Sequence, residues 1–165
     1  MIIAAALFQV AAVTIPYSWL EYCGRSRDPG CVVETITPLD LAYLNMLVTE
    51  VIQPDPAVTT YAAPDDPWLA FPVDRHGDCD DRVVTARAAL IALGLDPKKM
   101  TIETGEVTEP DGSLAGHAVL IVELDGRKWR MDSKTPDKLY PAEQWPYAWR
   151  PLARQPTAGI VWPNE

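Results

Sequence analysis

No stretch of the chain is rich in lysine and arginine. Fourteen basic residues against 23 acidic ones leave a formal net charge of −9. Binding a phosphate backbone needs a basic footprint, so this balance argues against nucleic acid as a partner. A long hydrophobic run is missing too. The most apolar segment, Ile2 to Ile15, is broken by Gln9 and Thr14, and it is shorter than the ~20 residues of a membrane-spanning helix. Internal repeats, low-complexity tracts and a linker between two cores are all absent. The 165 residues therefore read as one domain, 1–165. Histidine is confined to two positions and cysteine to three, so chemistry that uses either has few places to reside.

Apolar residues make up 48% of the chain and charged ones 22%, a composition able to offset the entropy of ordering. Proline is abundant, at 16 residues, and falls in clusters from Pro54 to Pro72 and from Pro136 to Pro156. These clusters predict irregular chain held by local packing. The N-terminal segment carries no charged n-region. It reads as a buried helix closed by Pro16, with a signal or anchor remnant as the other reading. Cys23 and Cys31 flank a loop-like Gly-Arg-Ser-Arg-Asp-Pro-Gly span that a disulfide could close. One pair and one leftover thiol suits an exported protein; three unrelated thiols is the alternative.

A helix is predicted from Pro38 to about Ile52, with Leu41, Leu44, Val48 and Val51 at helical spacing and Pro54 ending it. Between residues 55 and 76 the chain is expected to be irregular, anchored by Trp68 and Phe71. A second helix opens at Asp78, a good N-cap, with Asp81 placed to complete a capping box. Cys79, Val83, Ala86, Leu90 and Leu93 form one stripe, and Gly94 supplies the stop. Cys79 therefore sits in the first turn of a helix, on its inward face.

Downstream, Met100 to Val107 is extended and a hairpin turns at Asp125-Gly126. With that turn Glu123 meets Lys128, Val122 meets Trp129, Leu120 meets Met131, and Val119 lies opposite Asp132. His117 and Asp132 become diagonal neighbours on one sheet face, and a one-residue slip would separate them. A thiol at a helix N-terminus beside an imidazole is an activated nucleophile. A carboxylate on the imidazole fixes its tautomer and stabilises its cation. The crowding of Asp78, Asp80 and Asp81 at the same helix end opposes a thiolate unless a cation or capping bonds offset it. Each residue alone has a plain structural reading: a packed cysteine, a core histidine, a strand-end carboxylate. A zinc site from the three lacks the paired-ligand spacing of zinc modules.

The string Gly77-Asp78-Cys79-Asp80-Asp81 resembles the Gly-Asp-Cys-Glu-Asp signature of bacterial transglutaminase-like cysteine peptidases. Gly116-His117-Ala118-Val119-Leu120 resembles their His motif, and Met131-Asp132-Ser133 their Leu-Asp-Asn motif. Upstream, the similarity takes in Tyr22 to Cys31, the Leu44-Asn45 pair and Trp68, so that it covers roughly residues 17 to 150 in order. The family includes LapG-type periplasmic proteases that clip biofilm adhesins. The resemblance implies an α+β fold with a papain/transglutaminase-like core at about 38–150, in which an antiparallel sheet carries His117 and Asp132. It further implies a Cys79–His117–Asp132 triad acting on a protein or peptide substrate, a periplasmic or exported location, and dependence on Ca2+ held by Asp78 and Asp80. Oxygen ligands of that kind suit calcium. Departures are Asp80 for the usual Glu, Arg82-Val83 for Tyr-Ala, and Ser133 for Asn. The same apparatus would also serve a transglutaminase or acyltransferase, and a degenerate cleft would serve as a peptide-binding module.

Overall fold

The computed structural model describes residues 15–54 and 68–156, with side chains described as far as Leu152. The helix expected from Ile2 to Ile15 lies outside these residues except at its end, as does the segment 55–67. Among these residues three α-helices and five strands follow in the order α1 (Tyr17–Ser26), α2 (Pro38–Val51), α3 (Cys79–Ala92), β1 (Met100–Thr108), β2 (Leu114–Leu124), β3 (Arg127–Met131), β4 (Tyr140–Pro141) and β5 (Trp149–Pro156), with short 3-10 turns at Pro29–Cys31 and Pro97–Lys99. The fold is α+β. Its five strands form one antiparallel sheet in the order β4-β3-β2-β1-β5.

Local chemistry accounts for most element boundaries. Thr37 caps α2 in a reciprocal capping box with Asp40, and Pro38 occupies the first helical position, where its missing N–H costs nothing. Asp78 and Asp81 cap α3 in the same way. Asp125 and Gly126 both take positive φ, 51° and 74°, the conformation a two-residue hairpin turn requires. The β2–β3 register is the expected one, with Leu124↔Arg127, Glu123↔Lys128, Val122↔Trp129 and Leu120↔Met131.

The core lies between the helices and one face of the sheet. β2 contributes Ala118, Leu120, Val122 and Leu124, which pack with Ile102, Met131, Leu41, Leu44, Val83 and Leu90. By strand alternation His117, Val119 and Ile121 face the other way, and they are buried there too. α3 is more enclosed than its single predicted stripe. Val84, Thr85 and Ala89 are buried as well, because α1 packs along α3 on a side the stripe does not cover.

Two expectations need correction. Cys23 and Cys31 do form a disulfide, but Cys23 lies in the last turns of α1 and not in a loop. Leu20 and Cys23, spaced with Tyr17 by threes, bury one face of that helix. The proline-rich C-terminal segment is not all irregular. Residues 149–156 form an edge strand on β1, with a register irregularity at Thr104/Gly105. Proline has no N–H to give a ladder, and an edge strand tolerates it.

Candidate active site

Cys79 is the first residue of α3, half-buried, and the only free cysteine among the described residues. Its thiol lies beside the His117 ring, close enough to help raise the pKa of the imidazole. The contact is made from the N-terminal end of α3, since His117 belongs to the strand face turned away from the helical core. His117 Nε2 lies 2.9 Å from Asp132 Oδ1, the diagonal pairing that the hairpin register requires. With Nε2 held by the carboxylate, Nδ1 is the ring nitrogen left for the thiol. The structure therefore brings Cys79, His117 and Asp132 together.

Burial by itself favours neutral imidazole. Hydrogen bonds to Asp132 and to Cys79, reinforced by their charges, outweigh it and push the His117 pKa from 6.5 up to about 9. Burial likewise opposes the charge on Asp132, yet the bond and ion pair to His117, the Tyr147 hydroxyl and the Lys134 amide together bring its pKa below the usual carboxylate range. A cationic imidazole beside sulfur is what a thiolate nucleophile needs.

Asp132 is held on every side. Oδ1 also accepts from the Lys134 amide at 2.9 Å. Oδ2 accepts from the Tyr147 hydroxyl and lies 3.3 Å from Nε of Arg130. Its backbone carbonyl accepts from Asn45 Nδ2 of α2 at 3.1 Å. Arg130 is fully enclosed: its guanidinium sits 4.1 Å from the Trp145 ring centroid and 5.3 Å from that of Tyr140, and it donates to the Gln144 carbonyl. Trp145 stacks on Trp149 at 4.3 Å, and both Trp149 and Tyr147 meet the His117 ring edge-on.

Sequence reasoning did not single out Arg130, Trp145, Tyr147 or Trp149. Their signal was the period-two spacing of aromatics at 145, 147 and 149, which is strand spacing, obscured by the prolines around it.

Asp78, Cys79 and Asp80 each place a ligand atom within 4.8 Å of the others. Asp78 accepts from the Asp80 amide at 3.2 Å, and Asp81 accepts from the amides of Leu69 at 2.6 Å and Asp78 at 3.4 Å. Asp80 is buried, and none of the described hydrogen bonds or ion pairs engages its carboxylate. A carboxylate in that position, beside a second hard oxygen donor, fits a divalent cation such as calcium. Apolar side chains of Val48, Val83, Ala86, Leu120 and Met131 line a hollow next to Cys79.

A comparison with curated proteins found no match. Among solved structures, calcium-bound LapG of Legionella pneumophila is similar with a TM-score of 0.58 at 19% identity, over 85% of this chain and 83% of that one. Its EGTA-treated form gives 0.56 at 19% identity, over 85% and 81%. These likenesses show a shared fold. The family model for bacterial transglutaminase-like cysteine proteinases matches residues 9–162. Since that match runs over nearly the whole chain, the protein belongs to this family and is a cysteine peptidase of the transglutaminase-like type.

Proposed function

We propose that this chain hydrolyses a peptide bond in a protein substrate, through a triad of Cys79, His117 and Asp132 in a single domain. The observation that carries the reading is the buried bond from His117 to Asp132 with the Cys79 thiol on the same ring. Cys79 Sγ attacks the carbonyl carbon, and the C–N bond breaks as the His117 imidazolium gives its proton to the leaving amine. Neutral His117 then takes a proton from water as the water attacks the thioester; the acid leaves with the C–S bond broken, and the Cys79 thiolate and His117 imidazolium are restored. Asp132 orients His117 throughout. The backbone N–H of Cys79, among the helix-start amides without an intrahelical acceptor, is suited to the oxyanion.

Asp78 and Asp80 would hold a calcium ion, which when bound would neutralise the carboxylates crowding the nucleophile. The calcium-bound form of the similar LapG structure supports this reading. The Cys23–Cys31 disulfide supports an oxidising, periplasmic or extracellular location.

The test is the rate at which iodoacetamide alkylates Cys79 at neutral pH, in wild type and His117→Ala. We expect His117→Ala to react at least roughly tenfold slower. Equal rates would remove the peptidase reading and favour a peptide-binding module. For calcium the readout is thermal melting. Excess Ca2+ should raise the wild-type Tm over chelator, by about 2.7 kcal/mol of stability at a hundredfold excess over Kd. Asp80→Asn should abolish the rise.

A further inference from the structure

We propose that Tyr147 is a positioning residue of this site: its hydroxyl, backed by Arg130, occupies Oδ2 of Asp132 so that Oδ1 is kept for His117. The inference rests on the peptidase reading above and adds the element that sets its third member.

A carboxylate on a strand end can rotate about χ2 and offer either oxygen to an imidazole. Here the two oxygens have distinct partners. Oδ1 receives His117 Nε2 and the Lys134 amide, and Oδ2 receives the Tyr147 hydroxyl with Arg130 Nε 3.3 Å away. Rotation would trade charge-assisted bonds for misaligned ones, so the carboxylate plane is locked. Arg130 is well placed to hold the far side. Its guanidinium is clamped between the rings of Trp145 and Tyr140 and tied to the Gln144 carbonyl, which leaves it little freedom to follow Asp132 if the carboxylate turned.

The Tyr147 ring is itself fixed, edge-on to Trp145 at 5.8 Å and to His117 at 6.4 Å. Its hydroxyl proton stays in place, because burial and the neighbouring carboxylate both push its pKa up. Tyr147 thus touches both later members of the triad, His117 through its ring and Asp132 through its oxygen. The hydroxyl is not supplied by the hairpin that carries His117, Arg130 and Asp132. It comes from the segment 145–149, which crosses the sheet face opposite the helices.

Tyr147→Phe keeps the ring and removes only the oxygen. Two readouts separate positioning from packing. The first is Cys79 alkylation by iodoacetamide at neutral pH, expected to fall roughly tenfold in Tyr147→Phe. The second is the His117 imidazole in 15N–1H spectra, assignable because the chain has only two histidines. Its Nε2–H resonance should be downfield and protected in wild type, and lost to solvent exchange in the variant. Tyr43→Phe is the control. It deletes another part-buried tyrosine hydroxyl bond, 2.9 Å to the Ile15 carbonyl, and should change neither readout even where it lowers Tm.

If wild type is activated relative to His117→Ala but Tyr147→Phe matches wild type in rate and in the His117 resonance, the positioning role is overturned alone. If wild type reacts no faster than His117→Ala, the peptidase reading falls and this role with it. A loss in Tyr147→Phe equalled by Tyr43→Phe would mark a general effect of stability and also overturn the role.

Discussion

Asp132 shows how a single residue becomes able to organise a site. It is about 1% exposed and charged, which would be costly without partners. His117, Tyr147, Arg130 and the Lys134 amide supply them. The pair it makes with His117 has a pH signature. Because the folded pKa of His117 is raised from 6.5 to about 9, its contribution to stability is fully present below about 6.5 and is lost as pH rises through about 9. Asp132, shifted the other way, keeps its contribution above the ordinary carboxylate range and loses it as pH falls through its lowered folded value. Urea unfolding of wild type and His117→Gln from pH ~5 to ~10 should show a stability gap that narrows above pH 6.5 by at most ~1.4 kcal/mol per pH unit. A gap that stays flat across that window would mean that His117 is not cationic in the folded protein.

At the scale of elements, legibility in the sequence followed the range of the forces involved. Asp78 and Asp81 cap α3 through contacts three residues apart, and Asp125-Gly126 sets a turn through its own dihedrals. Local patterns such as these could be read directly, and with the hairpin register came the meeting of His117 and Asp132. β5 was not legible, because its pairing with β1 joins residues about fifty positions apart and its prolines imitate a loop. With it went the aromatic wall of Trp145, Tyr147 and Trp149. Gly105 is the residue that seats this wall. It pairs with His117 on one side and Pro151 on the other, and an added Cβ would come within 2.6 Å of both the Trp149 ring and the Arg150 carbonyl. A carbonyl on a paired backbone cannot swing aside as a flexible side chain would. Gly105→Ala should therefore cost about 1–3 kcal/mol and move Trp149 off His117, read as a lower Tm together with slower Cys79 alkylation. Unchanged Tm would show that β5 yields to the methyl at little cost.

Across the whole molecule, the disulfide lies far along the chain from Cys79 yet bears on its position through a series of contacts. Cys23–Cys31 ties the end of α1 to the turn that follows it. Arg25 of α1 donates to the Phe71 carbonyl, and Tyr17 packs edge-on against the Phe71 ring at 6.1 Å. Phe71 in turn donates its amide to Thr85 of α3 at 2.8 Å, and two residues earlier the Leu69 amide reaches Asp81 in the first turn of α3. α1 thus braces the chain that leads into Cys79. Closing a loop of this length should contribute about 2–3 kcal/mol by chain entropy, or roughly 5–10 °C in Tm for a chain of this size. Reduction, or Cys23→Ser with Cys31→Ser, should lower Tm by that amount. It should also raise amide exchange at Leu69 and Phe71 while Leu120 and Val122, held within the sheet and the core, stay protected. Uniform loss of protection would instead mean that α1 and the sheet unfold as one unit, with no separate brace for the segment before Cys79.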